Sequence, residues 1–110
     1  MPNVKLKSLD KKLLNKNEIL HFLKAHKQEL YEKFGVIKIG LFGSFSNDKN
    51  DEFSDIDIVV TIENNRKNLH NFLALKRFLE KNLNREVDLG LDSALKPYIK
   101  DKILKETVYV

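Results

Sequence analysis

Two aspartates, Asp55 and Asp57, stand one residue apart in the stretch SDIDIVVTI (54–62). β-Branched residues dominate that stretch, so it reads as a strand, and alternate side chains of a strand project from one face. The two carboxylates are therefore expected side by side. Unit like charges about 4 Å apart repel by roughly 1 kcal/mol in water and about 4 kcal/mol at an effective dielectric near 20, so a sheltered pair calls for a counter-charge. Mg²⁺, a hard cation commonly held by one or two carboxylates with phosphates and water, meets that need. Asp88 is the third candidate. In EVDLGL (86–91) Val87, Leu89 and Leu91 alternate inward, which turns Asp88 to the opposite face. If this strand lies beside 54–62, the three carboxylates meet. Two metal ions in such a cluster activate an attacking oxygen and stabilise a leaving pyrophosphate in an in-line displacement. Asp55, Asp57 and Asp88 are thus the candidate catalytic and metal-binding residues.

Gly43-Ser44 ends the preceding alternating run, VIKIGLF (36–42). Glycine lets backbone N–H groups approach a phosphate and the serine hydroxyl adds a further hydrogen bond, which makes Gly43 and Ser44 candidate nucleotide-binding residues. Plainer readings stand beside these. The aspartates can be exposed residues opening strands, and Gly43 a turn glycine with Ser44 capping a short helix.

Several elements must position these groups. Residues 1–16 are Lys-rich with few periodic apolar positions and read as a loose leader, leaving 17–110 as a single domain. Asn17 is a candidate helix cap; Ile19, Phe22, Leu23, His26 and Leu30 follow helical spacing as far as Phe34-Gly35. Strand 36–42 should carry Ile37, Ile39 and Leu41 on one face. The polar segment 45–53 joins it to the strand opened by Ser54. A second amphipathic helix contains Leu69, Phe72, Leu73, Leu79 and Leu83, strand 86–91 follows, and Asp92 or Ser93 can cap a last helix with Pro97 in its first turn. The order helix, strand, strand, helix, strand, helix predicts an α/β (α+β) fold, a small mixed sheet with helices on one face.

Composition bounds the rest. The 110 residues are 42% hydrophobic and 33% charged, the balance of a single globular domain. Without cysteine, any metal must take oxygen or imidazole ligands. His21, His26 and His70 lack ligand spacing and read as structural or solvated. No apolar run is long enough to span a bilayer, and Met1–Asp10 lacks the apolar centre of a signal peptide, so a cytoplasmic location is expected. The net charge of +4 is scattered, and only Arg66, Arg77 and Arg85 carry guanidinium groups. Sequence-specific nucleic-acid binding is not expected. Among the lysines, Lys38 lies on the strand leading to Gly43.

Gly43-Ser44, ten residues, then Asp55-x-Asp57, in the setting LFGSFSNDKNDEFSDIDIVV, resembles the minimal nucleotidyltransferases of the DNA polymerase beta superfamily, which include the antitoxin partners of HEPN-domain toxins. REVDLGL around Asp88 and the ending ALKPYIKDKILKETVYV are similar too, so the resemblance spans roughly residues 17–110. It implies a polymerase-beta-like core. Gly43 and Ser44 would hold the triphosphate of ATP, Asp55 and Asp57 would bind metals, and Asp88 would complete the cluster and assist deprotonation of the acceptor. The implied reaction moves AMP to a tyrosine of a HEPN toxin encoded next door. One departure is visible: the family often has a small residue, a basic residue and a glycine where this chain has Ser46, Asn47 and Asp48. Two other functions remain open from sequence, an antitoxin that neutralises by binding alone and a nucleotidyltransferase acting on a small molecule such as an aminoglycoside or on RNA.

Overall fold

A computed structural model describes residues 14–47, 49–51 and 54–110. Helix α1 (Lys16–Ala25) opens with a reciprocal capping box. The Asn15 side-chain oxygen accepts from the Glu18 amide at 3.0 Å, and the Glu18 carboxylate accepts from the Asn15 amide at 3.1 Å. Asn15, not the expected Asn17, is the cap because the box needs its acid three residues downstream, where Glu18 stands. Of the expected leader, residues 1–13 lie outside the described residues; Leu14 packs against the core, and Asn15 and Lys16 begin α1. Asn15→Ala is expected to lower the unfolding free energy by about 1 kcal/mol, read as a shift in urea midpoint at constant slope. A shift no larger than that of Asn17→Ala would rule out a contribution from the box.

Apolar spacing predicts one helix through Phe34, but the chain forms two, α1 and α2 (Lys27–Phe34). His26 makes the break, at φ −104° and ψ 11°. Its ring Nδ1 lies 2.8 Å from the Phe22 carbonyl, which also accepts the His26 amide at 3.1 Å, and its ring stacks on Phe22 at 4.1 Å. A carbonyl can only accept, so Nδ1 carries the proton. Helix α2 then stops at Gly35, left-handed at φ 72°.

Strand β1 (Val36–Phe42) pairs antiparallel with β2 (Ile56–Ile62), and the register slips between Val36 and Lys38. That irregularity reverses the expected facing at the start of β1. Val36 enters the core, and Ile37 is 58% exposed instead of sharing a face with Ile39 and Leu41. Between the strands lies a single helical turn, α3 (Gly43–Ser46). Helix α4 (Leu69–Leu83), capped by Asn68, crosses over to β3 (Val87–Leu91), which runs parallel to β2.

Helix α5 (Pro97–Glu106) leads into β4 (Val108–Tyr109), antiparallel to β1, and the sheet order is β3-β2-β1-β4. The expected caps Asp92 and Ser93 fall instead in a 3₁₀ turn (Asp92–Ala94), and Lys96 precedes α5. Pro97 explains the shift, because it forces the residue before it into an extended conformation, here φ −66° and ψ 141°.

The core joins Ile19, Leu23, Leu30, Phe34, Leu75, Leu79 and Leu83 of the helices to Ile39, Leu41, Ile56, Ile58, Val60, Val87 and Leu89 of the sheet. Alternation along β2 sends Asp57, Val59 and Thr61 to the other face. The small mixed α/β sheet expected from the pattern is the observed one. Among the described residues no helix is long and apolar enough to cross a membrane.

Candidate active site

Asp57 and Asp88 are the second residues of adjacent parallel strands, and the register pairs them directly. In-register residues of neighbouring strands share a face, and strands lie about 4.8 Å apart, so the two carboxylates are close neighbours. Val87 and Leu89 are buried while Asp88 is exposed, as the alternation requires. Asp55 differs from expectation in one respect. Strand β2 starts at Ile56 rather than Ser54, so Asp55 precedes the ladder and is exposed.

The proximity is visible in the acidity of Asp57. Its carboxyl is pushed from 3.8 up to about 6, first by burial, then by repulsion from Asp88 and from Asp55, and then by a side-chain hydrogen bond with Asp88 that the protonated form can make. Because the folded chain holds this proton more tightly than the unfolded chain, the linked stability is present below 3.8 and is lost as pH rises through about 6. Glu29 and Glu80 are shifted the other way, Glu29 by Lys33 and Glu80 by the Val87 amide and Lys76, and their stability is lost only as pH falls below the usual carboxylate value of 4.5. Between pH 7 and 5 without divalent cations, the thermal midpoint should therefore rise relative to that of Asp57→Asn. Parallel curves for the two proteins across that range would exclude the shift.

Gly43 follows Phe42, which pairs with Asp57 across β1 and β2. Its φ is +75°, and a Cβ added there would fall on the Asp57 carboxylate. The Gly43-Ser44 turn thus lies directly against the acidic edge. Phe45, fully buried, anchors the turn in the core, and Ser46 Oγ donates to the Glu106 carbonyl at 2.9 Å. The short helix expected as the plainer reading of this segment exists, although Phe42 rather than Ser44 occupies its cap position. Lys38 is not part of this edge; its ammonium sits 4.2 Å from the Tyr109 ring.

A family model for the nucleotidyltransferase domain matches residues 23–110. The chain belongs to the nucleotidyltransferase family. It is 44% identical over 98 residues to the protein adenylyltransferase MntA of Thermococcus cleftensis, covering 89% of this chain and 98% of that protein. A solved structure assigned as a minimal nucleotidyltransferase superposes with a TM-score of 0.68 at 29% identity, over 81% of this chain and 93% of that one. A chain in the solved complex of a tri-AMPylated Shewanella oneidensis HEPN toxin with an MNT antitoxin shares the fold, with a TM-score of 0.55 at 22% identity over 89% of this chain and 70% of that one.

In this nucleotidyltransferase the donor set at the edge fits a hard divalent cation. Burial and the neighbouring Asp88 and Asp55 carboxylates disfavour the ionised form of Asp57, and a cation would relieve that cost. Among the described residues no three acidic or imidazole side chains already converge as a metal cage. A cavity of about 490 Å³ lies at the other ends of β2 and β3, lined by Ile62, Leu69, Phe72, Leu91 and Leu95 among others. It is apolar and carries no carboxylate, so the chemistry points to the acidic edge instead. Sequence reasoning passed over Arg85 as one guanidinium among three; it is 7% exposed and donates to the Ser54 carbonyl at 2.8 Å. Its place directly before EVDLGL was the available signal.

Proposed function

We propose that this nucleotidyltransferase moves AMP from ATP to a tyrosine of a HEPN-domain partner protein and acts as the antitoxin of that pair. The observation that carries the reading is the in-register pairing of Asp57 with Asp88 beside the Gly43-Ser44 turn. Support for a protein acceptor comes from the 44% identical relative, a protein adenylyltransferase matched over nearly its whole length. The fold shared with the complex of HEPN toxin and MNT antitoxin is compatible with that partner.

Gly43 and Ser44 hold the triphosphate through backbone N–H groups and the serine hydroxyl. Asp55, Asp57 and Asp88 would hold divalent cations. Bound Mg²⁺ supplies neutralisation of the phosphates and of the departing pyrophosphate. The tyrosine oxygen forms a bond to the α-phosphorus as the bond from that phosphorus to the pyrophosphate oxygen breaks. Asp88, exposed at the edge, accepts the phenolic proton. Alignment of acceptor and α-phosphorus comes from the partner docking on this small domain.

Intact-mass measurement of a HEPN-domain protein, sought in the adjacent reading frame, after incubation with the chain, ATP and Mg²⁺, tests the proposal. A gain of one or more AMP units on tyrosine, absent with Asp57→Asn, is expected. An unmodified partner in a stable complex would overturn transfer and leave neutralisation by binding; transfer to tRNA or an aminoglycoside instead would overturn the acceptor.

A further inference from the structure

Arg85 links two parts of the chain around the site. Its Nη1 donates to the Ser54 carbonyl at 2.8 Å and to the Asp51 carbonyl at 3.3 Å. Its guanidinium carbon lies 5.4 Å from the ring centroid of Phe45, two residues beyond Gly43. Along the chain it stands three residues before Asp88.

We propose that Arg85 is the positioning residue for Asp55, fixing that carboxylate relative to Asp57 and Asp88. This rests on the reading of Asp55 as a working carboxylate of nucleotidyl transfer. Asp57 and Asp88 are placed by the strand ladder, whereas Asp55 lies just outside it. What fixes Asp55 is a pair of anchors on either side. On one side the Ile56 amide donates to the Glu86 carbonyl at 2.9 Å; on the other the Ser54 carbonyl is held by Arg85. Both anchors come from consecutive residues leading into β3, so the approach to Asp88 also sets Asp55. Ser54 is also tied to Asp51. Ser54 Oγ accepts from the Asp51 amide at 2.9 Å, and the Ser54 amide donates to the Asp51 carbonyl at 3.2 Å. Moving the guanidinium would therefore release Ser54, and Asp55 next to it.

The residue type fits that task. A sheltered cation is unfavourable unless its donors are used, and an apolar side chain would fill the same space without that burden. A planar guanidinium can reach two carbonyls while lying near an aromatic ring; an ammonium is a compact charge on a flexible stem and matches only part of this.

The test measures kcat and KM for ATP in Arg85→Gln and Arg85→Lys with the protein acceptor, together with amide hydrogen exchange in the nucleotide-free chain. Arg85→Gln should lower kcat by about a hundredfold, the size expected from misplacing a reacting group by an ångström, with KM changed by less than about threefold. Arg85→Lys should recover part of the loss. Exchange at Ile56 should accelerate in Arg85→Gln while that at Val60, in the middle of the sheet, stays put. Unchanged kcat in the folded variant, or exchange rising equally at Ile56 and Val60, would overturn the inference. If Arg85→Gln does not fold, Arg85→Lys decides on the same two readouts. A wild-type chain that transfers no AMP would sink the nucleotidyl reading instead, and local exchange at Ile56 would still decide whether Arg85 holds this segment.

Discussion

Asp57→Asn should reduce adenylyl transfer by about a thousandfold and, without divalent cations at pH 7, make the folded chain more stable than the wild type. The two effects have one cause. Asp57 sits half-buried between β1 and β3, next to Asp88 and near Asp55, and its ionised form is disfavoured enough to raise its pKa to about 6. Asn keeps the shape of the neutral acid, so the cost of burying a charge and the repulsion both disappear and stability rises. In the proposed function the same change removes an oxygen that would hold a cation. Losing several kcal/mol of transition-state stabilisation, taken as about 4 kcal/mol, corresponds to about three orders of magnitude in rate. Initial rates with saturating ATP, and thermal midpoints in chelator at pH 7 and 5, would measure both. Transfer within tenfold of wild type would remove Asp57 from the mechanism. A lower midpoint at pH 7 would contradict the crowding of the three carboxylates.

Such a site, held at a cost to folding stability, is legible in sequence because strand periodicity is a local rule. One residue between Asp55 and Asp57, and alternation around Asp88, were enough to place Asp57 and Asp88 on one face once the two strands were assumed adjacent. The parallel register confirms that adjacency residue for residue. What the pattern could not show depends on competition between neighbours. Asn15 and Asn17 are equally good cap residues, and only the spacing to Glu18 separates them. His26 fits the apolar spacing of a continuous helix, yet its ring competes for the Phe22 carbonyl and splits the helix. Ile37 alternates correctly with Ile39 and Leu41, but a slip in pairing to β2 turns it outward. Arg85 was least legible of all. Its role comes from carbonyls 31 and 34 positions away in the chain, and its place directly before EVDLGL is the one local hint of it.

Gly43→Ala should lower transfer by about a hundredfold and destabilise the fold by about 1–2 kcal/mol, because the new methyl group meets two independent obstacles. The first is conformational. At φ +75° an L side chain crowds its own backbone, and this accounts for about 1 kcal/mol of the loss. The second is specific to this site: the added Cβ coincides with the Asp57 carboxylate, so either the turn or the aspartate must move. Gly35→Ala separates the two. Gly35 has nearly the same φ, +72°, but its added Cβ meets the stems of the Arg66 and Glu63 side chains, remote from the acidic edge. Gly35→Ala should therefore carry a similar stability loss with transfer unchanged. A double-mutant cycle completes the argument. With Asp57→Ala in place the obstructing carboxylate is gone, and Gly43→Ala should be less destabilising by about 1 kcal/mol than in the wild type, the coupling expected of residues in contact. Strict additivity in denaturant unfolding would mean that the turn relaxes away from Asp57, and the close approach of the glycine backbone to the carboxylate would then have no part in setting the site.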